Sequence, residues 1–566
     1  MQNKSTTKVD NKKLLPEKYY HTNYHHLLFI IESKYLGLLS DNELNYIENF
    51  KKLSNNAQCL YLRLQNRKGR YFRFSKLLYP EIEDIQQGLQ ELIKKAFVQI
   101  VKAPADEVMD VLQLYNRNEL VDLIRYFEFS GKGLSKLNKL EVVELVSRTI
   151  PKERLWQVFK EEPVIKQNFT DEALMLQFLY FGSLDMDMSQ FVIRDLGNLK
   201  FEEVDESRLT ATFRTRKEAE DKLMLSLAYK YFRVFRNTEE AEDYFLLIQS
   251  WLKNTQELSL VAKPLYDRLV LRSGQFLEKA KLLDQALEIY SFTQKSPARE
   301  RSVRILHKLG KTAEAIDLCQ LIIKLPENAH EKYFAIDFLK KLEKGNKLLK
   351  STTWFQKGGE EINIDKTWQN NVEMGILDWF EKQGMQGFFA ENYVWRAIWG
   401  LMFWDIIFDE SHTGLHHPFQ RSPDDLFTEN FILLRGGAIN ERLTLLHQPK
   451  DLKKYLKKVF KEKYGVANPI IGWFEELWPM IECVVNKVPM LRLEKTLLTM
   501  CQNLKDNSKG FPDLFIWDDT DYFFVEVKSP NDTLSAQQLF WLEQFAEEGI
   551  HAKLVNVKWK EEKISP

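Results

Sequence analysis

The chain has 566 residues, 44% hydrophobic and 28% charged, a globular composition too long for one core, so three to four domains are expected. Its net charge of −1 removes any global argument for a polyanionic partner, and such a case has to come from local patches. Four scattered cysteines, Cys59, Cys319, Cys483 and Cys501, have no Cys-x-x-Cys or Cys/His spacing, which argues against a disulfide framework or structural zinc and fits a reducing compartment.

Residues 1–18 are polar, are expected to be disordered, and contain no apolar signal-peptide core. Residues 19–105 resemble a winged-helix module, with helical runs flanking a basic segment, Cys59–Phe74, whose turn is Asn66–Gly69 and whose return strand is Tyr71–Phe74. Arg63, Arg67, Lys68, Arg70, Arg73 and Lys76 concentrate there. Two readings stand: a solvated hairpin, or a DNA-backbone contact in which charge supplies affinity without sequence readout.

Residues 106–150 read as two short helices around the loop Ser130–Lys136, which resembles a SAP module. Lys132, between two glycines, and Lys136 suit phosphate contact; a purely structural helical hairpin fits as well. Residues 151–350 are almost wholly helical in pattern, with few strand signals. At an offset of 29 residues Leu277 matches Leu306, Lys279 matches Lys308 and Ala286 matches Ala315, which resembles tetratricopeptide packing and its partner-binding role.

Residues 351–566 change character. The run Trp395–Phe408 is apolar nearly all round and so buried, yet its apolar core, carrying Asp405, is too short to span a bilayer. Helical segments cover 426–463 and 470–503, and strand, strand, helix, strand follow. In that ending Leu514–Trp517 and Tyr522–Lys528 read as a hairpin around Asp518–Asp521. Counting outward from Trp517 opposite Tyr522 sets Asp513 opposite Glu526, with Cβ atoms roughly 5 Å apart. Alternation puts Lys528 on the face of Glu526. Two facing carboxylates without a partner repel, and a hard divalent cation, Mg²⁺ or Mn²⁺, resolves the conflict. Such a cation activates a phosphodiester toward water, with Lys528 orienting the water or stabilising phosphoryl charge. Ser535 and Gln538 form a capping box that opens the next helix, Gly549 stops it, and Lys553–Val557 closes the sheet. This arrangement resembles the restriction-endonuclease-like PD-(D/E)xK core; an ordinary hairpin with surface acids and a lysine is the other reading.

Gly510–Leu514, Val525–Asp532, Leu534-Ser535 and Trp541-Leu542 resemble the virus-type replication-repair nuclease domain. Gln386–Glu391, Leu401–Phe408 and Ala438–Leu443 narrow the resemblance to the Fanconi-anaemia-associated nuclease family. The resemblance implies a multidomain, mostly α chain with a C-terminal α/β restriction-endonuclease-like nuclease domain over 351–566. It implies cleavage of 5′-flap and branched DNA, digestion from 5′ ends and a place in interstrand-crosslink repair. The implied metal ligands are Glu391, Asp513, Glu526 and the Val527 carbonyl, with Lys528 as the catalytic lysine and Gln420 and Asp532 lining the site. Some members bind a 5′ phosphate in a basic pocket, of which Lys505 would be the remnant; Gln537 stands where a lysine is found in others. No ubiquitin-binding zinc finger is seen. The expected compartment is the bacterial cytoplasm at the nucleoid, or the nucleus of a eukaryote.

Two other function classes compete: a branched-DNA scaffold that does not cut, and a tetratricopeptide-like adaptor for protein partners. The adjacent His416 and His417 read as loop rather than metal site, and Gly436-Gly437 is too short to cradle a phosphate. No nucleotide-binding motif occurs, so no nucleotide cofactor is expected.

Overall fold

The computed structural model describes residues 15–560 apart from 102–107, 128–133, 198, 238–239, 256, 345–348 and 413. Lys132 and most of its loop, like residues 1–14 of the expected tail, lie outside the described residues. Contacts divide the chain into two units, Met1–Asn198 with Ala211–Ala219, and Leu199–Thr210 with Glu220–Pro566.

The first unit opens with helices Tyr19–Tyr35, Asp41–Lys51 and Asn55–Gln65. Ser40 and Glu43 close a capping box on the second, and the Ser54 side chain caps the third. They pack around Tyr24, Tyr46, Phe50 and Tyr61, and the Tyr24 and Tyr46 hydroxyls meet at 2.7 Å. Cys59–Gln65 is therefore helix, not the outgoing strand of a hairpin. Leu60, Tyr61, Leu62 and Leu64 are all buried, so apolar residues fall on every side of this helix and imitate alternation. The expected return strand does form, as β1 (Tyr71–Arg73). It joins β2 (Val98–Ile100) and β3 (Val164–Gln167) in an antiparallel sheet of order β1-β3-β2. The central strand thus comes from beyond residue 150, where the helical middle was expected to begin. The helical run before the SAP-like loop is split in two, Val108–Leu112 and Arg117–Tyr126, because Asn116 and Glu119 form a capping box at the second start. Lys139–Thr149 follows the loop, capped in the same way by Asn138 and Glu141.

In the second unit, the helix pair Lys263–Lys279 and Leu283–Tyr290 repeats as Ala298–Lys308 and Thr312–Lys324. Ala286 and Ala315 are fully buried at equivalent places. Gly274 admits the Tyr290 ring; a Cβ there would stand 2.4 Å from Cε1.

The α/β end is a five-stranded sheet: β4 (Glu360–Ile364), β5 (Gln386–Phe389), β6 (Leu514–Trp517), β7 (Tyr522–Lys528) and β8 (Ala552–Trp559), in the order β4-β8-β7-β6-β5. β8 runs parallel to β4 and β7, and β6 is antiparallel to both its neighbours. β4 and β5 add two strands to those read from sequence; β4 offers only Ile362 and Ile364 as buried apolar residues, too short a pattern to detect. One face of the sheet packs Ile362, Ile376, Phe380, Leu514, Ile516, Val525 and Val555. The other packs Phe515 and Phe524 against Trp395, Phe511, Trp541 and Phe545. Helix Ala536–Glu548 connects β7 to β8, opened by the Ser535/Gln538 capping box and ended by Gly549 at φ 78°. The expected helix over 395–408 breaks at Phe403 into Tyr393–Met402 and Trp404–Ile407. Among the described residues no helix is long and apolar enough to cross a membrane.

Candidate active site

The hairpin adopts the register counted from its turn, Trp517 opposite Tyr522 through Leu514 opposite Val525. Asp518 organises the turn, because its Oδ1 accepts from the Thr520 and Asp521 backbone N–H groups at 2.7 and 2.8 Å. One step beyond the last pair, the Val527 N–H donates to Asp513 Oδ2 at 2.8 Å, which anchors Asp513 across the ladder from Glu526.

The chain leading into the hairpin is pinned from behind. Phe511 stacks on Trp541 with centroids 4.1 Å apart, and the Trp541 indole N–H donates to the Lys509 carbonyl at 3.0 Å. Gly510, at φ 79°, lies so close to helix Ala536–Glu548 that a Cβ would stand 2.8 Å from Gln537 Cγ. Long-range backbone bonds bring in Glu391: the Ala390 and Glu391 N–H groups both donate to the Asp513 carbonyl, at 2.8 and 3.0 Å, while Gly510 N–H donates to Asn392 Oδ1 at 2.9 Å. Glu391 occupies an exposed turn just before helix Tyr393–Met402, next to Asp513.

β7 is the most buried strand of the sheet, and it carries charge. Glu526 is 0% exposed and Lys528 7%. Lys528 Nζ lies 2.8 Å from Glu526 Oε1 and donates to Gln538 Oε1 at 3.1 Å. Apart from this ion pair, neither Glu526 oxygen has a hydrogen-bond partner. Burial pushes the Asp513 carboxyl up to about 7, with the Val527 N–H and Lys528 opposing and Glu373 and Glu391 adding to the rise. Burial first, and Asp513 second, push Glu526 up to about 8 against the pull of Lys528. Two acids this costly to ionise, one of them without a hydrogen bond beyond the Lys528 ion pair, suit a divalent cation. Among the described residues no three Asp, Glu, His or Cys side chains are gathered into a ready-made metal cluster. The fold supplies instead a pair, half-buried Asp513 and buried Glu526, with Glu391 on the adjoining turn.

Glu373, on helix Val372–Glu381, was missed from sequence although its charge reaches Asp513. Its only signal was an acid in a first helical turn, which is common. Gln420 and Asp532 are occupied elsewhere. Gln420 Oε1 accepts from the His416 and His417 N–H groups at 2.5 and 3.2 Å, and its amide donates to the Gly414 carbonyl, so it fastens its own loop. Asp532 accepts from the Ser529 hydroxyl at 2.6 Å in the turn after β7. Lys505 is exposed, and Gln537 packs on Gly510.

Three of the basic residues proposed for DNA, Arg63, Arg70 and Arg73, face carboxylates. Arg63 pairs with Glu81 at 2.5 Å, and Arg70 with Asp171 at 2.5 Å. Arg73, nearly buried, bridges Glu119 and Glu162 at 2.8 and 2.6 Å over the Tyr115 ring. Arg67 donates to the Tyr79 hydroxyl at 3.2 Å. Lys68, Lys76 and Lys136 are exposed.

The chain is similar to known proteins along most of its length. A family model described as "FAN1, HTH domain" matches residues 18–99, and one described as "VRR-NUC domain" matches residues 447–559, a span that includes Asp513, Glu526 and Lys528 but not Glu391. The Fanconi-associated nuclease 1 homolog of Pseudomonas aeruginosa is 26% identical over 564 residues, 97% of either chain. That of Schizosaccharomyces pombe is 22% identical over 93% of this chain and 89% of its own. The crystal structure of paFAN1 bound to 2nt 5′ flap DNA with gap superposes with a TM-score of 0.82 at 25% identity, covering 97% of this chain and 100% of that one.

Proposed function

Because the chain belongs to the Fanconi-associated nuclease family, we propose that it is a divalent-metal-dependent DNA nuclease that cuts 5′-flap and branched duplexes, digests from 5′ ends and serves interstrand-crosslink repair. The observation that carries this reading is the pairing of half-buried Asp513 with fully buried Glu526, whose carboxylate has no hydrogen bond apart from its ion pair with Lys528. The flap substrate rests on paFAN1, crystallised on 5′ flap DNA.

Asp513 Oδ1, Glu526, the Val527 carbonyl and Glu391 would hold the cation, Mg²⁺ or Mn²⁺; Asp513 Oδ2 is spent on the Val527 N–H. The cation supplies Lewis acidity toward the scissile phosphate. The remaining work belongs to the chain. Lys528, held by Gln538, places an ammonium where charge grows on the phosphoryl oxygens and can orient the attacking water. The indole and phenyl layer of Trp541, Phe511 and Trp395 behind the hairpin fixes Asp513 and excludes water from that side.

The test is a labelled 5′-flap duplex incubated with Mg²⁺ or Mn²⁺. Asp513→Asn is expected to keep DNA binding and to lose cleavage by about a thousandfold or more. Wild-type cutting by this variant refutes the site; tight binding with no cutting by the unaltered chain in either metal favours a scaffold instead.

A further inference from the structure

Helix Pro449–Lys463 carries seven lysines against two acids. Its buried residues, Leu452, Leu456 and Val459, form one stripe, and the helix packs on Tyr393–Met402 and Leu477–Lys487. At 100° per residue, Lys450, Lys454, Lys457 and Lys461 fall within about 60° of one another on the opposite face. All four are exposed.

The lysines that find partners lie off this stripe. Lys453 pairs with Glu482 at 2.9 Å, Lys458 reaches Glu462 at 4.0 Å, and Lys463 pairs with Glu202. Among the described residues none of the four stripe lysines has an ion pair; Lys457 lies 5.7 Å from the Trp478 ring. Like charges three and four residues apart weaken a helix, so the fold leaves this face in a condition that an external anion would relieve. The stripe is about 16 Å long, the axial span of about five phosphates on one strand of duplex DNA.

We propose that Lys450, Lys454, Lys457 and Lys461 form a docking surface for the phosphate backbone of a double-stranded arm of the DNA substrate. The proposal rests on the nuclease reading above and adds to it a contact surface remote in sequence from the hairpin. Duplex DNA is favoured over an anionic membrane because the apolar face of the helix is consumed by the core, leaving nothing to insert among acyl chains.

The experiment measures binding of a fluorescein-labelled 5′-flap duplex to the full chain in EDTA over a series of salt concentrations. Each released phosphate counterion contributes about 0.9 to the slope of log affinity against log salt. The variant Lys450→Gln/Lys454→Gln/Lys457→Gln/Lys461→Gln is expected to lower that slope by about 3–4 and to weaken binding at moderate salt by tenfold or more. The control Lys453→Gln/Lys458→Gln, off the stripe, is expected to keep the slope within about one. Removing like-charge repulsion should leave the unfolding midpoint of the fourfold variant equal or higher, so misfolding does not mimic the result. Parallel slopes for wild type and the folded fourfold variant overturn the proposal, as does an unchanged DNA slope with lost binding to phosphatidylserine vesicles. Wild-type chain that binds but does not cut in Mg²⁺ or Mn²⁺ refutes the nuclease reading alone, while the slope comparison still decides the docking surface.

Discussion

The hairpin Leu514–Lys528 and the basic stretch Arg63–Lys76 both concentrate charge, and the fold handles them in opposite ways. In the basic stretch, Arg63, Arg70 and Arg73 find carboxylates from Glu81, Asp171, Glu119 and Glu162. In the hairpin, Glu526 is more deeply buried than any of these, yet beyond the Lys528 ammonium at 2.8 Å its two oxygens have no hydrogen-bond partner. An ion pair completed inside the fold serves the fold. A buried charge left incomplete costs stability, and a ligand is what offsets that cost.

Substitutions can break this contrast or sharpen it. The largest expected effect is at the incomplete end: Lys528→Ala should lower single-turnover flap cleavage by about a hundredfold or more while Mn²⁺ binding, followed by electron paramagnetic resonance, persists. If cleavage is untouched, the lysine belongs to the same structural class as Arg73. At the completed end, Arg73→Ala should cost about 3 kcal/mol in urea unfolding, because it strands Glu119 and Glu162 beside one another, and should leave the salt slope of DNA binding alone. A lost salt slope with intact stability would move Arg73 to the DNA side. Arg67→Ala and Lys68→Ala, both at the surface, should change stability by less than about 0.5 kcal/mol.

The pH response separates the two regions further. Asp513 and Glu526 titrate at about 7 and about 8 in the fold, above the unfolded range of about 4. The folded chain holds these protons more tightly. The stability they contribute is complete below about pH 4 and is lost as pH rises through 7 and 8. A cation must displace the same protons, so Mn²⁺ affinity should climb between pH 6 and pH 8, by up to about tenfold per unit for each proton released. Calorimetric titration at three pH values checks this, and a flat profile contradicts the pair as ligands. The smallest effect concerns support: Ser535→Ala should cost about 1 kcal/mol by removing the cap of helix Ala536–Glu548.

Legibility in the sequence followed the range of the interactions. The hairpin is contiguous and its turn is chemically marked, so counting from Trp517 opposite Tyr522 gives the register the strands adopt, out to Leu514 opposite Val525, one step short of Asp513 and Glu526. Glu391 could not be reached that way, since backbone bonds to the Asp513 carbonyl bring it there from far upstream; only the family resemblance suggested it. The helix Asn55–Gln65 was misread because burial on all sides erased its period, although Ser54 at its N-cap was a usable signal. β3 has four residues and pairs with strands more than sixty residues earlier, a relation no local pattern encodes.

Gln538 carries a consequence beyond the first turn of its helix. Its Oε1 accepts from the Ser535 N–H at 3.0 Å and from Lys528 Nζ at 3.1 Å. A capping box is served equally by glutamate or glutamine. Glutamate here would keep the helix end but set another anion against the ammonium, holding it away from an incoming phosphate. The neutral amide satisfies the same geometry without claiming the lysine's charge. This position therefore tolerates a substitution by every rule of helix stability that its chemistry forbids.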